Sequence, residues 1–424
     1  MKLIVQKYGG SSLSTVEKIR RVAEKVVRTK RQGYAVVVVV SAMGDSTDRL
    51  MELARGIGSD PPQRERSPRG LSPRELDVLL ATGETVSTAL LSMAIQNLGE
   101  QAISLSAAQC GIVTNDVHSN ARILEVRCQR IKKELDCGAI VVAPGFLGMT
   151  DRQEVTTLGR GGSDTTAVAL AAALAAEDCE IYTDVDGVYS ADPRLVPGAV
   201  KLEEVGAREM QELAWHGAQV MKAEAVEFAN TNGISVVVRS TFNNDPGTLV
   251  RAGEGEVYRP RRAEVAGVSG RKDLVRITVA GTKPDEPQGR EIFAAVSKYD
   301  LIFGSAGCDG EPMELFISTN EIPDPEAFTR ELEFRFNGAA KTTKDLGAVS
   351  LVGFGLGSRP AALSEALAAL SRIGAPVIKS FTGRESLSFV IPRAEVDSCV
   401  KRMHHLFVES HRQSSQSVAT PLKS

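Results

Sequence analysis

The chain has 424 residues, of which 42% are hydrophobic and 24% are charged, and its formal net charge is −3. These values are ordinary for a globular protein of about two to four domains. The small net charge gives no reason to expect a nucleic acid or an anionic membrane surface as a partner. The chain starts with Met1-Lys2 and a short apolar run, which does not match a signal peptide. We therefore expect a cytoplasmic protein.

Up to about residue 245 the chain alternates short β-branched runs with helical patterns. The predicted strands are Leu3–Val5, Ala35–Val40, Ala139–Ala143, Cys179–Thr183 and Ile234–Arg239. The predicted helices are Ser14–Thr29, Ser72–Asn97, Asn120–Leu135, Ser163–Ala176 and Arg208–Asn230. Runs such as "AVVVVV" lack polar alternation, so both of their faces should be buried, as in a parallel sheet covered by helices. The pattern predicts an α/β three-layer sandwich with a mainly parallel central sheet.

Beyond this part the texture of the sequence changes. Two shorter units follow, Leu274 to Phe334 and Ala348 to Phe407, each roughly strand–helix–strand. A Pro-containing turn precedes the helix of each unit, Gly289–Lys298 and Pro360–Ser371, so we predict two copies of one α+β module. The predicted division is a first domain 1–250, a linker 251–264, modules 265–345 and 346–410, and a disordered tail 411–424.

Several common sites are excluded by spacing. The cysteines are scattered without a CxxC pair, and the adjacent His404 and His405 would point apart on a helix, so we expect no metal site. No GxxxxGK[ST] motif occurs. "VGFGLGS" (Val352–Ser358) has the spacing GxGxG rather than GxGxxG, and we interpret it as a strand-to-helix turn.

Three segments carry residues suited to anions. "KYGGSS" places Lys7 before two glycines, although such a sequence is more often an ordinary turn. "TLGRGGSDTTAVALAAALAA" sets Arg160 among glycines ahead of a capped, Ala-rich helix, where a guanidinium can grip a carboxylate or phosphate. "YTDVDGVYSADPR" combines Asp, Tyr and Arg around a turn that can hold a nucleotide.

Together with "VVSAMGDSTD" and "LLATGE", these motifs resemble the aspartokinase family in their order and spacing. The resemblance runs from Met1 to about Val250 and continues more loosely through two ACT-like modules. It implies an amino-acid-kinase fold that transfers the γ-phosphoryl of MgATP to the β-carboxylate of L-aspartate, the first step of lysine, threonine and methionine synthesis. The Mg²⁺ would be held mainly by the nucleotide phosphates.

The resemblance also implies roles for individual residues. The catalytic pair would be Lys7, which neutralises the transferring phosphoryl group, and Asp164, which orients Lys7. The implied aspartate-binding residues are Ser41, Thr47, Glu84, Phe146, Arg160, Gly161, Gly162 and Ser163. The implied nucleotide-binding residues are Lys7, Gly9, Gly10, Ser11, Thr183, Asp184, Val185, Tyr189, Asp192, Arg194 and Gln219. Because the attacking carboxylate is already ionised at neutral pH, no general base is required.

The chain departs from the family pattern in two places. The family's "GAKV" lysine is Gln219 here, and Lys222 is a candidate substitute. The modules lack the family's Asn and Gln that hold an effector, and Pro376 stands where an Asn is expected. Missing polar partners cost affinity steeply, so we expect weakened inhibition by lysine and threonine, with the modules still pairing subunits into a homo-oligomer.

Two other interpretations remain open from the sequence. A kinase of the same fold could act on another acidic amino acid, such as glutamate. Alternatively, the chain could be a non-catalytic regulatory subunit that binds amino acids through its modules, although Lys7, Arg160 and Asp164 are intact.

Overall fold

The computed structural model describes residues 2–58, 72–159, 161–218, 220–253, 265–283, 285–297, 299, 301–305, 312–320, 322 and 324–410. The predictions for Arg160, Gln219, most of the linker and the tail 411–424 lie outside these residues, as does most of the proline-rich stretch before the second predicted helix. Residue contacts divide the chain into two compact units. The first contains 1–188, 201–211 and 220–258, and the second contains 189–200, 212–219 and 259–424.

The strands and helices up to residue 251 alternate along the chain. The strands are β1 (Leu3–Tyr8), β2 (Ala35–Val40), β3 (Ala102–Ser104), β4 (Ile112–Thr114), β5 (Ile123–Val126), β6 (Ile140–Pro144), β7 (Leu147–Met149), β8 (Val155–Thr157), β9 (Asp178–Thr183), β10 (Glu204–Gly206), β11 (Val236–Ser240) and β12 (Thr248–Arg251). The helices are α1 (Val16–Arg31), α2 (Ser46–Gly58), α3 (Pro73–Asn97), α4 (Ala107–Cys110), α5 (Gln129–Asp136), α6 (Gly162–Leu174), α7 (Ala207–Trp215) and α8 (Ala223–Thr231).

The main sheet has eight strands in the order β10-β12-β11-β9-β1-β2-β6-β3, and a smaller sheet has the order β5-β4-β7-β8. Every neighbouring pair of the main sheet is parallel except β11 with β12. All six residues of β2 are buried, as its unbroken run of valines predicts. The predicted α/β fold with a mainly parallel sheet is confirmed.

Two predicted helices differ from the structure. The segment Asn120–Leu135 is not one helix, because its first half forms β5, which pairs antiparallel with β4. The segment Arg208–Asn230 is two helices, α7 and α8, because the chain leaves α7 through Gly217. That glycine has φ +115, a conformation that β-carbon-bearing residues rarely adopt.

Helix α3 is the one helix among the described residues that is long and apolar enough to cross a membrane. Its buried face carries Asp77, Glu84 and Ser87, and it packs against α1 and the strands β3 and β6. Such a face fits a core helix of a globular domain, and we interpret α3 in that way.

Asp77 anchors the start of α3 to two loops and is fully buried. Its carboxylate accepts hydrogen bonds from the Ser119 N–H at 3.0 Å and from Thr157 Oγ1 at 2.7 Å. His118 Nδ1 lies 2.8 Å from the same carboxylate. Thr157 ends β8 directly ahead of the glycine-rich segment that contains Arg160. Asp77 therefore fixes where that segment begins.

The second unit contains a sheet of six strands with helices. The strands are β13 (Gly267–Val279), β14 (Leu301–Ser305), β15 (Met313–Ser318), β16 (Ala340–Val352), β17 (Lys379–Thr382) and β18 (Ser386–Pro392), and the helices are α9 (Pro287–Val296), α10 (Pro325–Arg335), α11 (Pro360–Ile373) and α12 (Val396–His404). The order is β14-β15-β13-β16-β18-β17. Each predicted module thus has a further strand and helix beyond the expected strand–helix–strand pattern.

The long strands β13 and β16 join the two modules. Residues 274–279 of β13 pair with β15, whereas residues 267–271 pair with residues 348–352 of β16. The same end of β16 pairs with β18. Within the one six-stranded sheet, the first residues of β13 therefore pair with the second module, although most of the first module lies between them in the sequence.

Replacing Asp77 with Ala should strongly destabilise the first unit, because it leaves the half-buried Ser119 N–H and the buried Thr157 hydroxyl without their acceptor. We expect the free energy of unfolding to fall by about 3 kcal/mol. Urea unfolding followed by circular dichroism measures this change. The exposed Asp136, at the end of α5, provides a matched control. An unfolding midpoint for Asp77→Ala equal to that of Asp136→Ala would contradict the anchoring role.

Candidate active site

The candidate site forms where parallel strands of the main sheet end. β1 lies between β9 and β2 in the sheet. Gly9 follows β1, Ser41 follows β2, and the last residue of β9, Thr183, leads into Asp184. Ligands of open α/β sheets bind outside the carboxyl ends of the strands, near a change in the strand order. The sheet thus brings "KYGGSS", "VVSAMGDSTD" and the beginning of "YTDVDGVYSADPR" to one edge.

Lys7 and Asp164 form an ion pair at this edge. Lys7 Nζ lies 2.6 Å from Asp164 Oδ1, and the side chains are only 12% and 9% exposed. Lys7 is next to last in β1, and Asp164 lies in the first turn of α6. The amides of a helix N-terminus favour negative charge, so Lys7 and the start of α6 both attract an anion.

The start of α6 is held close to two neighbouring loops. The hydroxyls of Ser41 and Ser163 lie 3.0 Å apart, which links the end of β2 to α6. A β-carbon placed on Gly145 would lie 2.6 Å from the Ser163 Cβ, so only glycine fits there. The Phe146 N–H donates to Thr166 Oγ1 at 3.1 Å, and Phe146 has φ +68. Ser41, Phe146 and Ser163 are therefore brought together with Asp164.

Glu84 approaches the same region from α3. Its Oε1 accepts a hydrogen bond from the Ala42 N–H at 3.0 Å, and a β-carbon on Gly83 would lie 2.9 Å from Ala42 Cβ. Oε2 is buried without a partner among the described residues. Burial raises the pKa of Glu84 to about 7, although the Ala42 amide opposes the shift. A cationic group placed at Oε2 would restore the charge of this carboxylate.

The glycine-rich segment before α6 is covered by Lys222. A β-carbon on Gly161, which has φ +73, would lie 1.8 Å from Lys222 Cγ. Gly162 is confined as well, because a β-carbon there would lie 2.7 Å from the Leu158 Cβ. The candidate substitute for the missing lysine thus lies against the start of α6, whereas Gln219 and Arg160 lie outside the described residues.

Other expected residues differ in what they can contribute. The Gly9 N–H donates to the Tyr182 carbonyl at 3.2 Å, so a phosphate that binds this amide would have to replace that hydrogen bond. Gly10 begins a short 3-10 helix, and the exposed Ser11 offers its carbonyl to Lys18 Nζ at 2.8 Å. Thr47 is half-buried in the first turn of α2.

The expected nucleotide-binding residues fall in both units. In the first unit, the Thr183 hydroxyl donates to Asp184 at 3.0 Å, and Val185 is half-buried. Tyr189, Asp192 and Arg194 belong to the second unit. There the Arg194 guanidinium binds both carboxylate oxygens of Asp192, at 3.0 and 2.9 Å, and this lowers the pKa of Asp192.

Sequence reasoning missed Asp77 and the confinement of Gly145. Asp77 had one signal, since it lies seven residues before Glu84 and so two helical turns earlier on the same face. No local pattern identifies Gly145, because its constraint comes from Ser163 on a distant element.

Comparison with known proteins identifies the family of the chain. Residues 2–240 match the model of the amino acid kinase family. The chain is 40% identical over 417 residues to the aspartokinase of Corynebacterium efficiens, covering 96% of each chain. It is 41% identical over 419 residues to the aspartokinase of Mycobacterium tuberculosis, again covering 96% of each.

Two solved structures also match the fold of the chain. The E. coli aspartokinase III complex with aspartate and ADP matches with a TM-score of 0.78 at 23% identity, over 95% of this chain and 99% of that one. The aspartate kinase from Synechocystis matches with a TM-score of 0.52 at 36% identity, over 95% of this chain and 69% of that one. The resemblance seen in the motifs is confirmed, and the chain belongs to the aspartokinases of the amino acid kinase family.

Proposed function

We propose that the protein is an aspartate kinase that transfers the γ-phosphoryl group of MgATP to the β-carboxylate of L-aspartate, giving 4-phospho-L-aspartate and ADP. This reaction is the first step of lysine, threonine and methionine synthesis. The observation that carries the proposal is the largely buried Lys7–Asp164 pair at the edge of the sheet, next to the start of α6. The chain is 40% identical to a known aspartokinase, and this identity supports aspartate as the substrate.

The reaction needs positioning and charge stabilisation rather than a base. An ionised carboxylate oxygen of aspartate attacks the γ-phosphorus, and the bond to the β–γ bridging oxygen breaks, so both electrons of that bond leave with ADP. Negative charge spreads over the transferring oxygens, where the Lys7 ammonium and the α6 amides stabilise it. Asp164 holds the Lys7 ammonium in place, because its side chain pairs with it at 2.6 Å. The Mg²⁺ enters with ATP and is held mainly by the phosphates.

Recognition of aspartate requires groups of both signs. Glu84 Oε2, buried without a described partner, suits the substrate ammonium. Ser41 and Ser163 present hydroxyls beside the start of α6, and Phe146 borders the same space. By resemblance, Arg160 would grip a substrate carboxylate, and Thr47 and the amides of Gly161 and Gly162 would complete the pocket.

The nucleotide would contact Thr183, Asp184 and Val185 after β9, and Tyr189, Asp192 and Arg194 in the following loop. Arg194 would exchange its bidentate contact with Asp192 for a phosphate. Gly10, Ser11 and Gln219 complete the set implied by the family. We also propose a cytoplasmic homo-oligomer that pairs through the sheets of the modules.

A kinase for another acidic amino acid is the second candidate, and a panel of glutamate and aspartate analogues with ADP detection would reveal it. A non-catalytic regulatory subunit is the third, and it would turn over no ATP with any of these substrates.

Replacing Lys7 with Ala should lower kcat at least a hundredfold, because a charge that faces the transferring phosphoryl group is lost. Asp164→Ala should cause a similar loss, since Lys7 would lose its partner. The assay combines aspartate, MgATP and hydroxylamine, which traps the acyl phosphate as a hydroxamate. Gln219→Ala is the matched control, with a change expected to remain within a fewfold. Near-normal turnover of either site variant would refute the assigned roles.

The KM for aspartate should fall as the pH rises from about 6 to about 8, because the substrate ammonium binds the ionised form of Glu84, whose pKa is about 7. Below that pKa the proton on Glu84 must leave before the ammonium binds. Glu84→Gln should raise the KM and remove this part of the pH dependence. The measurement is initial rate against aspartate concentration at several pH values. An unchanged pH profile in the variant would assign the titration to another group.

Lysine and threonine together should inhibit the enzyme only weakly. Pro376 has no N–H to donate, and it stands in the loop after α11 where an effector-binding Asn is expected. Titrating both amino acids into the hydroxamate assay tests the expectation. Strong cooperative inhibition at physiological concentrations would contradict it, and the nucleotide analogue 5′-AMP-PNP provides a positive control for inhibition.

A further inference from the structure

A largely buried series of hydrogen-bonded side chains links the loop that follows β9 to the end of the last helix. We propose that Ser190, His404 and Glu409 are positioning residues for the nucleotide-binding loop Tyr189–Val200. The inference rests on the proposed function, because it takes Tyr189, Asp192 and Arg194 as nucleotide-binding residues. All of the groups involved lie in the second unit.

The chain consists of two consecutive hydrogen bonds. Ser190 Oγ lies 2.8 Å from His404 Nε2, and His404 Nδ1 lies 3.0 Å from Glu409 Oε1. Ser190 and His404 are both completely buried. Buried polar groups of this kind hold a fixed geometry, because breaking one bond leaves its partners unpaired away from water.

The direction of these bonds follows from the surrounding donors. The Val200 N–H donates to Ser190 Oγ at 2.9 Å, so the Ser190 hydroxyl is free to donate to His404 Nε2. His404 Nδ1 donates to the Glu409 carboxylate, because an ionised carboxylate can only accept.

Ser190 closes the loop at its base. Its N–H donates to the Val200 carbonyl at 2.9 Å, in addition to the bond between its hydroxyl and the Val200 N–H. The Ser190 carbonyl accepts a bond from the Val268 N–H of β13 at 2.7 Å. The two ends of the loop are thus joined to each other and to the sheet, and the His404 ring fixes the orientation of the serine.

Glu409 lies close to Gly198, near the second end of the loop. A β-carbon built on Gly198 would lie 2.3 Å from Glu409 Oε1, so this glycine allows the carboxylate to approach the backbone. Glu409 ends a π-helical segment, His405–Glu409, whose wider turn brings both histidines to one carboxylate. His405 Nδ1 lies 2.9 Å from Glu409 Oε2. Single π-helical turns within helices are often found at functional sites.

A serine, a histidine and an acid in this order also suggest a hydrolytic triad, but the surroundings exclude that role. Ser190 Oγ is inaccessible to any substrate and already receives the Val200 N–H. The chain therefore acts on the loop and not on a bond of a substrate. What it controls is the placement of Tyr189, adjacent to Ser190, and of the Asp192–Arg194 pair two and four residues further on.

The test measures binding of ADP by isothermal titration calorimetry and the KM values for ATP and aspartate in the full chain. We expect Ser190→Ala and His404→Asn each to weaken ADP binding about tenfold, the size expected for a lost buried hydrogen bond that positions ligand groups. The KM for aspartate should remain unchanged. A merely structural role would reduce the fraction of active protein and leave the dissociation constant for ADP as it was.

A double variant and a control variant at a neighbouring histidine test the inference further. The double variant Ser190→Ala/His404→Asn should bind ADP no more weakly than either single variant, because both substitutions break the same series of hydrogen bonds. His405→Asn is the matched control, since His405 is exposed and contacts Glu409 but not Ser190. Glu409→Gln, which keeps an acceptor for His404, should retain most of the affinity. Wild-type ADP affinity in both Ser190→Ala and His404→Asn would overturn the inference.

The outcome separates the inference from the proposed function. If the unaltered protein transfers no phosphoryl group to aspartate, the proposed function fails. If Arg194→Ala leaves ADP binding unchanged in an active enzyme, the loop does not bind the nucleotide and the inference fails with it. If Arg194→Ala weakens ADP binding but Ser190→Ala and His404→Asn do not, only the positioning chain is refuted.

Discussion

The ion pair between Lys7 and Asp164 is the constraint on which the active site depends. Two charges that are about nine-tenths buried are stable only in good mutual geometry, and removing one partner of such a pair costs about 3–5 kcal/mol. The pair exists because a parallel sheet ends β1 beside the beginning of α6. Gly145 and Gly161 then allow the neighbouring loop and Lys222 to approach α6 as closely as they do. The fold and the ion pair therefore both place the Lys7 and Asp164 side chains at the start of α6.

Helix α3 makes a second contribution from outside the sheet. Asp77 near its start is satisfied by the backbone and side chains of two loops, whereas Glu84, two turns later, keeps one oxygen without a described partner. The Asp77 carboxylate stabilises the fold, whereas the Glu84 carboxylate has one oxygen that is available to a cationic group. One helix thus carries a structural anchor, Asp77, and the carboxylate that we propose for substrate recognition, Glu84.

The sequence predicted the central strands well, because buried β-branched runs such as Ala35–Val40 have few alternatives to a parallel sheet. It failed where distant residues decide the outcome. The segment Asn120–Leu135 has helical periodicity, yet its first half pairs with β4.

Within the candidate site, residue types were predictable and contacts were not. Lys7, Glu84 and Asp164 could be identified from their motifs, and the structure brings them to one edge of the first unit. That the Gly9 amide is already bonded to Tyr182, or that Ser190 meets His404, depends on pairings far apart in the chain. Such pairings leave no signal in the local sequence.

The shared strands of the two modules have a consequence for how the C-terminal half can be divided. Because β13 and β16 lie in one six-stranded sheet and each pairs with residues of both modules, no single cut in the chain releases one module intact. A fragment that starts at the second predicted module would lack the strand Gly267–Arg271 and expose the edge of β16 to other chains. The two modules therefore complete their sheet only when both are present in one fragment.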